Sequence, residues 1–280
     1  MKVKRTYLFA MLPFALLILL FEFAPVFAVI LRSFKAEESL AFTLEHYSAI
    51  FTKPLYQQAV FNSVAVSVAS SLVGMAAAFF GAKAANAASS RLKAFFMSVL
   101  NMCSNFAGLP LAFAFIIMFG NVGVFVLLGK QFSIPALAGF NIYGLPGLML
   151  TYIYFQIPLC VLLLIPAFDG LRKEWRESVS LLGGSSFHYW TKVGLPALLP
   201  SLLGTFSVLF SNALAAYATA YALLQGNFSL LPIRISEQFV GDMVQRREFG
   251  SALAVVMMLL MVVSVLCQSA VLKRAKGAAK

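Results

Sequence analysis

Six runs of predominantly apolar residues dominate this chain, at about 7–31, 59–82, 95–119, 144–168, 195–224 and 250–272. A bilayer core of about 30 Å takes about 20 residues of helix to cross, and each run is that long. Inside hydrocarbon the backbone must satisfy its own hydrogen bonds, which a helix does within one segment. The expected fold is therefore an all-α membrane protein of six transmembrane helices, one domain over residues 1–280. An even number of spans puts both termini on one side. The fifth run is longer than a span needs and is expected to tilt or to project beyond the lipid.

Composition agrees with this picture. The chain is 61% hydrophobic and only 11% charged, with mean hydropathy +0.89, where soluble domains carry about 25% charged residues. The net charge of +11 does not point to nucleic acid, because the cations follow the loops of one side. With the N-terminus inside, the inner segments hold fourteen Lys and Arg (Lys2, Lys4 and Arg5 first, Lys280 last) and the outer loops seven, while three acids lie inside and six outside. By the positive-inside rule, both termini and the segment around Glu177 face the cytoplasm. The apolar run behind Met1-Lys2-Val3-Lys4-Arg5 continues to Leu31, too long for a signal-peptide core; it reads as an uncleaved span. Cys103, Cys160 and Cys267 all lie in apolar runs without paired spacing, which indicates neither a disulfide framework nor a zinc site.

One polar segment interrupts the apolar pattern with its own order. Residues 177–196 read E-S-V-S-L-L-G-G-S-S-F-H-Y-W-T-K-V-G-L-P. This spacing resembles the cytoplasmic coupling ("EAA") loop of the permease subunits of binding-protein-dependent ABC importers, whose pattern is E-A-A, three residues, G, nine residues, then I-x-L-P. Glu177, Gly183, Leu195 and Pro196 fall in place, Val193 stands for Ile, and Ser178-Val179 replaces the two alanines. The resemblance implies a bacterial inner-membrane permease domain, paired with an identical or homologous permease. Two ATPase subunits would carry ATP and magnesium, and an extracytoplasmic binding protein would deliver the solute. It implies alternating access driven by closure of the ATPases on the loop. The chain as a whole looks most like the branch that serves polyamines, ferric iron, thiamine, sulfate and phosphonates.

The loop, taken as 170–196, also reads on its own terms. Leu171, Trp175, Ser178/Val179 and Leu182 recur at helical spacing among charged residues, as in a short amphipathic helix. Gly183-Gly184 breaks it, Ser185-Ser186 cap a second short helix, and Pro196 suits the first turn of the next span. Phe187, Tyr189 and Trp190 would be exposed anchors for a partner groove, and Glu177 would meet a partner arginine or cap the loop. The alternative is an interfacial loop whose aromatic residues sit at headgroup depth.

Polar side chains inside spans are costly and mark either a solute route or interhelical hydrogen bonding. The candidates are Asn101, Ser104 and Asn105 in the third run, Gln156 beside Pro158 in the fourth, and Ser207, Ser211, Asn212 and Tyr217 in the fifth. Glu22 is the one acid deep in a span; it attracts a cationic solute or pairs with a neighbouring helix. Small-residue runs around Gly74, Ala78 and Ala82 let helices approach closely. The long loops 32–58 and 225–249 either meet a binding protein or merely connect spans, and the second contains a short helix after Pro232.

No catalytic or metal-binding pattern is present. The closest approach to a phosphate-binding loop, Gly123 to Gly129-Lys130-Gln131, has the wrong spacing and a glutamine where the magnesium-binding hydroxyl belongs. His46 and His188 are isolated. The chain is thus expected to be no enzyme and to need energy supplied by another subunit. An ion-gradient-driven transporter or channel is the alternative; it calls for internal repeats or interrupted helices with ionisable relays in the membrane.

Overall fold

A computed structural model describes residues 5–37, 41–224, 228–240 and 245–278. Lys2, Lys4, Glu38 and Lys280 of the charge pattern, and residues 225–227 and 241–244 of the last long loop, lie outside them. The described residues are almost entirely helical, and six helical stretches are long and apolar enough to cross a membrane: Met11–Ser33, Pro54–Ala87, Leu109–Gln131, Leu145–Asp169, Ser186–Ala215 and Arg247–Lys273.

The helices run α1 Arg5–Ile18, α2 Ala24–Ser33, α3 Glu45–Thr52, α4 Pro54–Ala87, α5 Ser90–Asn105, α6 Leu109–Phe119, α7 Val124–Gln131, α8 Pro135–Ala138, α9 Leu145–Asp169, α10 Lys173–Leu181, α11 Ser186–Tyr189, α12 Leu195–Ala215, α13 Tyr217–Leu224, α14 Leu231–Val240 and α15 Arg247–Ala278. Wide π-helical turns join α1 to α2 at Leu19–Phe23 and α11 to α12 at Trp190–Gly194. The chain divides into two compact units, residues 1–60 with 230–259 and residues 61–229 with 260–280.

In the first unit, the loop after α2 folds back on itself. Lys35 and Phe42 form an antiparallel bridge, and Phe34 stacks on Phe42 at 5.2 Å. His46 is buried, with Nε2 2.8 Å from the Lys35 carbonyl oxygen. A carbonyl only accepts, so Nε2 carries the proton. Phe249 packs edge-on against Tyr56 and His46, and Arg246 pairs with Glu37. His46 is thus a satisfied core side chain. The helix expected after Pro232 forms as α14. Glu22 lies on the exposed π turn of a stretch whose most apolar window has none of its residues buried.

In the second unit, α9 is the central element. Ala78, Ala82 and Ala85 of α4, Leu100 of α5 and Leu198 and Leu209 of α12 close around its Cys160, Val161, Leu164, Ile165 and Phe168. A Cβ on Gly74 would lie 3.2 Å from Gln156 Cβ and one on Gly81 3.1 Å from Val161. Small residues therefore set the close approach of α4 to α9, as expected.

Two expected spans are interrupted. The run 95–119 is two helices, because the chain turns at Phe106-Ala107-Gly108 with Gly108 at φ +72°. This left-handed conformation suits glycine, and Pro110 then starts α6. The spanning stretch is Leu109–Gln131 instead. The run 195–224 breaks at Ala216, whose carbonyl accepts a 2.7 Å hydrogen bond from Tyr152 Oη. The carbonyl of Gly108, which accepts from Ala112 N–H at 3.1 Å, also receives Thr219 Oγ1 at 3.2 Å. Interrupted helices persist in membranes when side chains take over the orphaned backbone groups.

Candidate functional site

The segment 170–196 begins where α9 ends. Lys93 Nζ of α5 sits 2.6 and 2.7 Å from the two carboxylate oxygens of Asp169, tying α5 to the last residue of α9. Helix α10 follows with Arg172, Lys173, Trp175, Arg176 and Glu177 exposed. Its end is a Schellman motif. Gly184 N–H reaches the Val179 carbonyl at 2.8 Å and Gly183 N–H the Ser180 carbonyl at 3.0 Å, with Gly183 at φ +75°. This pairing satisfies carbonyls that a helix end leaves open. A Cβ on Gly184 would lie 2.6 Å from Val179 Cγ1, so both glycines are needed, one for its backbone angle and the other for space. Ser185 Oγ then accepts from His188 N–H at 3.3 Å and caps α11.

The bend between two helices is as expected, but the side chains it presents are different. Leu181 and Leu182 are each 88% exposed and Phe187 77%, whereas Tyr189 is 5% exposed. Trp190 packs against the core formed by Phe168, Leu164 and Ala82. The expectation that Tyr189 and Trp190 project outward is therefore corrected. Helix α11 is not a separate lobe; it runs through the π turn into α12, within one stretch Ser186–Ala215. On that rod Trp190, Gly194 and Leu198 recur every four residues and share one face, and that face meets α9 and α4. Leu182, expected among the apolar positions at helical spacing, lies past the end of α10 at the bend. Leu181 and Leu182 carry no motif signal; two adjacent leucines before a glycine pair are the available hint.

The other expected coupling residues lie around this turn. Glu177 is exposed and forms no ion pair among the described residues. Leu195 and Pro196 are exposed on the first turn of α12. A groove of about 400 Å³, lined by Trp175, Ser178, Val179, Lys192, Val193 and Ala197, runs beside the bend.

The polar residues within the spans separate into two groups. Gln156 is fully buried and its Nε2 donates to Ser70 Oγ at 2.8 Å, while its Oε1 and nearby Ser71 Oγ make no hydrogen bond among the described residues. Ser207 is buried and reaches Ser264 on α15. These two join helices. Asn101, Ser104 and Asn105 crowd the last turn of α5 and bond its own carbonyls at 2.8–3.0 Å. Asn212 is exposed and Ser211 half-buried near the end of α12, and Tyr217 stacks on Tyr221 at 5.4 Å just past the second break. Each group adjoins one of the two interrupted helices, which touch through Thr219 and Gly108. Of the near-miss phosphate loop, Gly123 caps α7 and Gly129 lies within it, against the backbone of Ala138; that segment is a helix.

Residues 70–277 match the family described as binding-protein-dependent transport system inner membrane component. The chain belongs to that family. Relatives include the thiamine transport system permease protein ThiP of Escherichia coli K12, 26% identical over 130 residues, which cover 45% of this chain and 24% of that protein. A probable sulfate transport system permease protein cysT of Prototheca wickerhamii is 28% identical over 131 residues, covering 46% and 51%. The sulfate transport system permease protein CysW of Synechocystis sp. PCC 6803 is 27% identical over 177 residues, covering 61% and 60%. The matched region thus spans about a quarter to three fifths of these relatives. The fold of this family member also matches a bacterial ABC transporter involved in import of the acidic polysaccharide alginate, with TM-score 0.76 at 16% identity over 98% of this chain and 97% of that one. A bacterial alginate ABC transporter in complex with an alginate pentasaccharide-bound periplasmic protein gives 0.70 at 17% identity, over 95% and 94%.

Proposed function

We propose that this chain is the permease subunit of an ATP-driven ABC importer. It would form the path of a small polar solute across the bacterial inner membrane by alternating access, with both termini in the cytoplasm. The observation that carries this reading is the exposed Leu181-Leu182-Phe187 apex on a glycine-closed turn, set in a chain that belongs to a transport family. An apolar apex on a segment that exposes Arg172, Lys173, Arg176 and Lys192 fits a partner groove with an apolar floor and an acidic rim. That partner is an ATPase subunit, which holds the ATP and magnesium; the chain itself does no chemistry on nucleotide.

A second permease, identical or homologous, completes the path, and an extracytoplasmic binding protein hands over the solute. The structural relative solved with a periplasmic protein supports such a handover. Thiamine and sulfate, named in the relatives, join polyamines, phosphonates and ferric iron as candidate solutes. Of what the gradient-driven alternative calls for, interrupted helices are present at Gly108 and Ala216, but no ionisable relay is seen among the described residues of the spans: Gln156 is packed away as a helix joint, and Glu22 is the one acid in its run.

The test is capture. Co-expressed with an ABC ATPase and a second permease from its own organism, the tagged chain is expected to bring down the ATPase in stoichiometric amount from detergent-solubilised membranes. A stable, folded chain that captures no ATPase contradicts the reading.

A further inference from the structure

The two aromatic residues that turn inward from the loop form a junction. Trp190 lies 5.8 Å from Phe79 of α4, 6.3 Å from Phe168 of α9 and 5.5 Å from Tyr189, with mostly edge-on or tilted rings. Phe79 and Phe168 also touch each other, at 5.2 Å. Lys83, one turn along α4 from Phe79, holds its ammonium 4.7 Å from the centre of the indole. The indole thus has ring edges on several sides and a cation over its face, which is the arrangement its quadrupole favours. It sits on the first residue of the π turn Trp190–Gly194. A Cβ at Gly194 would lie 2.8 Å from Trp190 Cε3, so Gly194 makes room for the ring. Wide turns of this kind tend to mark functional positions in helices.

We infer that Trp190 is a positioning residue that locks the α10–α11 turn to α4 and α9, so that a displacement of the turn moves these helices as one body. The inference rests on the coupling reading above and assigns Trp190 a role distinct from partner contact. The exposed apex takes the push. Trp190, clasped by Phe79, Phe168 and Lys83, passes it to the helices whose packed small-residue face carries the core. A close-packed interior has low compressibility and transmits strain, which is what transmission of a displacement requires.

The lock is read directly by the distance between spin labels at exposed Asn86 of α4 and Ser180 of α10, in a chain whose Cys103, Cys160 and Cys267 are replaced. In the chain with Trp190 the distance distribution is expected to be narrow and to keep its mean between the nucleotide-free and the ATP-vanadate-trapped complex. Trp190→Leu frees the turn; two arrangements of comparable population then give a distribution about twice as wide. Trp190→Phe, which keeps a ring, restores most of the narrowness, and Lys83→Gln broadens it partly while Lys83→Arg does not. ATPase capture persists in all four variants, because the apex is untouched. A Trp190→Leu distribution as narrow as the parent's overturns the inference and leaves the coupling reading standing. Failure of the parent chain to capture the ATPase removes the coupling reading, and with it the inferred role. A melting temperature for Trp190→Leu near that of the parent separates a released turn from general unfolding.

Discussion

Replacing Leu181 and Leu182 together by aspartate is expected to abolish capture of the ATPase, weakening it by about 100-fold, or roughly 3 kcal/mol. Both side chains are 88% exposed, so neither contributes to packing within the chain and the melting temperature is expected to hold. The loss arises at the interface alone. Two apolar anchors disappear, and two carboxylates would have to be desolvated against an apolar floor and beside an acidic rim. The pair Leu181→Ala with Leu182→Ala removes the anchors without adding charge and should cost about tenfold less than the aspartates. Titration of the purified permease against the ATPase gives both values. Unchanged affinity in the aspartate pair would mean that the apex is not the seat.

The second large effect concerns a residue beside which a side chain would find open space. No atom lies within 4 Å of a Cβ placed on Gly183, yet its φ is +75°. Substitution there is a question of backbone angle alone, and a left-handed conformation costs an L-residue about 1–2 kcal/mol, more for a β-branched one and less for asparagine. Gly183→Val is therefore expected to depopulate the Schellman turn and lower ATPase affinity by about tenfold or more. Gly183→Asn should fall much nearer the parent, with alanine between. Equal effects of valine and asparagine would show that space, and not φ, is what matters at this position. Gly184 offers the contrast. A Cβ there would meet Val179 Cγ1 at 2.6 Å and the Val179 carbonyl oxygen at 2.9 Å, so alanine itself is expected to disrupt the turn through steric overlap.

The apolar runs foretell six helices because the rule behind them is coarse: hydrocarbon forces a self-bonded backbone whatever the side chains are. The turn at Gly183 is readable for a similar reason, since paired glycines followed by paired serines spell both a helix end and a cap. What hydropathy cannot display is an interruption within an apolar run. Asn105 to Pro110, with Gly108 two residues before a proline, holds a stop-and-start signal that the surrounding leucines and phenylalanines mask. The break at Ala216 has no such punctuation, and depends on Tyr152 arriving from α9. Phase is the other hidden quantity. A loop ending in a free second helix would expose Phe187, Tyr189 and Trp190 alike; α11 instead continues into α12 through a π turn, and the shared rod turns Tyr189 and Trp190 to the core while Phe187 faces out. As sequence, Gln156 and Ser207 suit a route or a joint equally, and only packing against Ser70 and Ser264 decides for the joint.

The central claim, that the α10–α11 turn lies in the cytoplasm and seats another protein, is tested most directly by a cysteine at its apex. Leu182→Cys, with Cys103, Cys160 and Cys267 replaced, is to be exposed to a membrane-impermeant maleimide in intact spheroplasts and in inverted membrane vesicles. The predicted result is labelling in inverted vesicles only, suppressed when the ATPase is present. Labelling from the outside of intact spheroplasts would contradict the account.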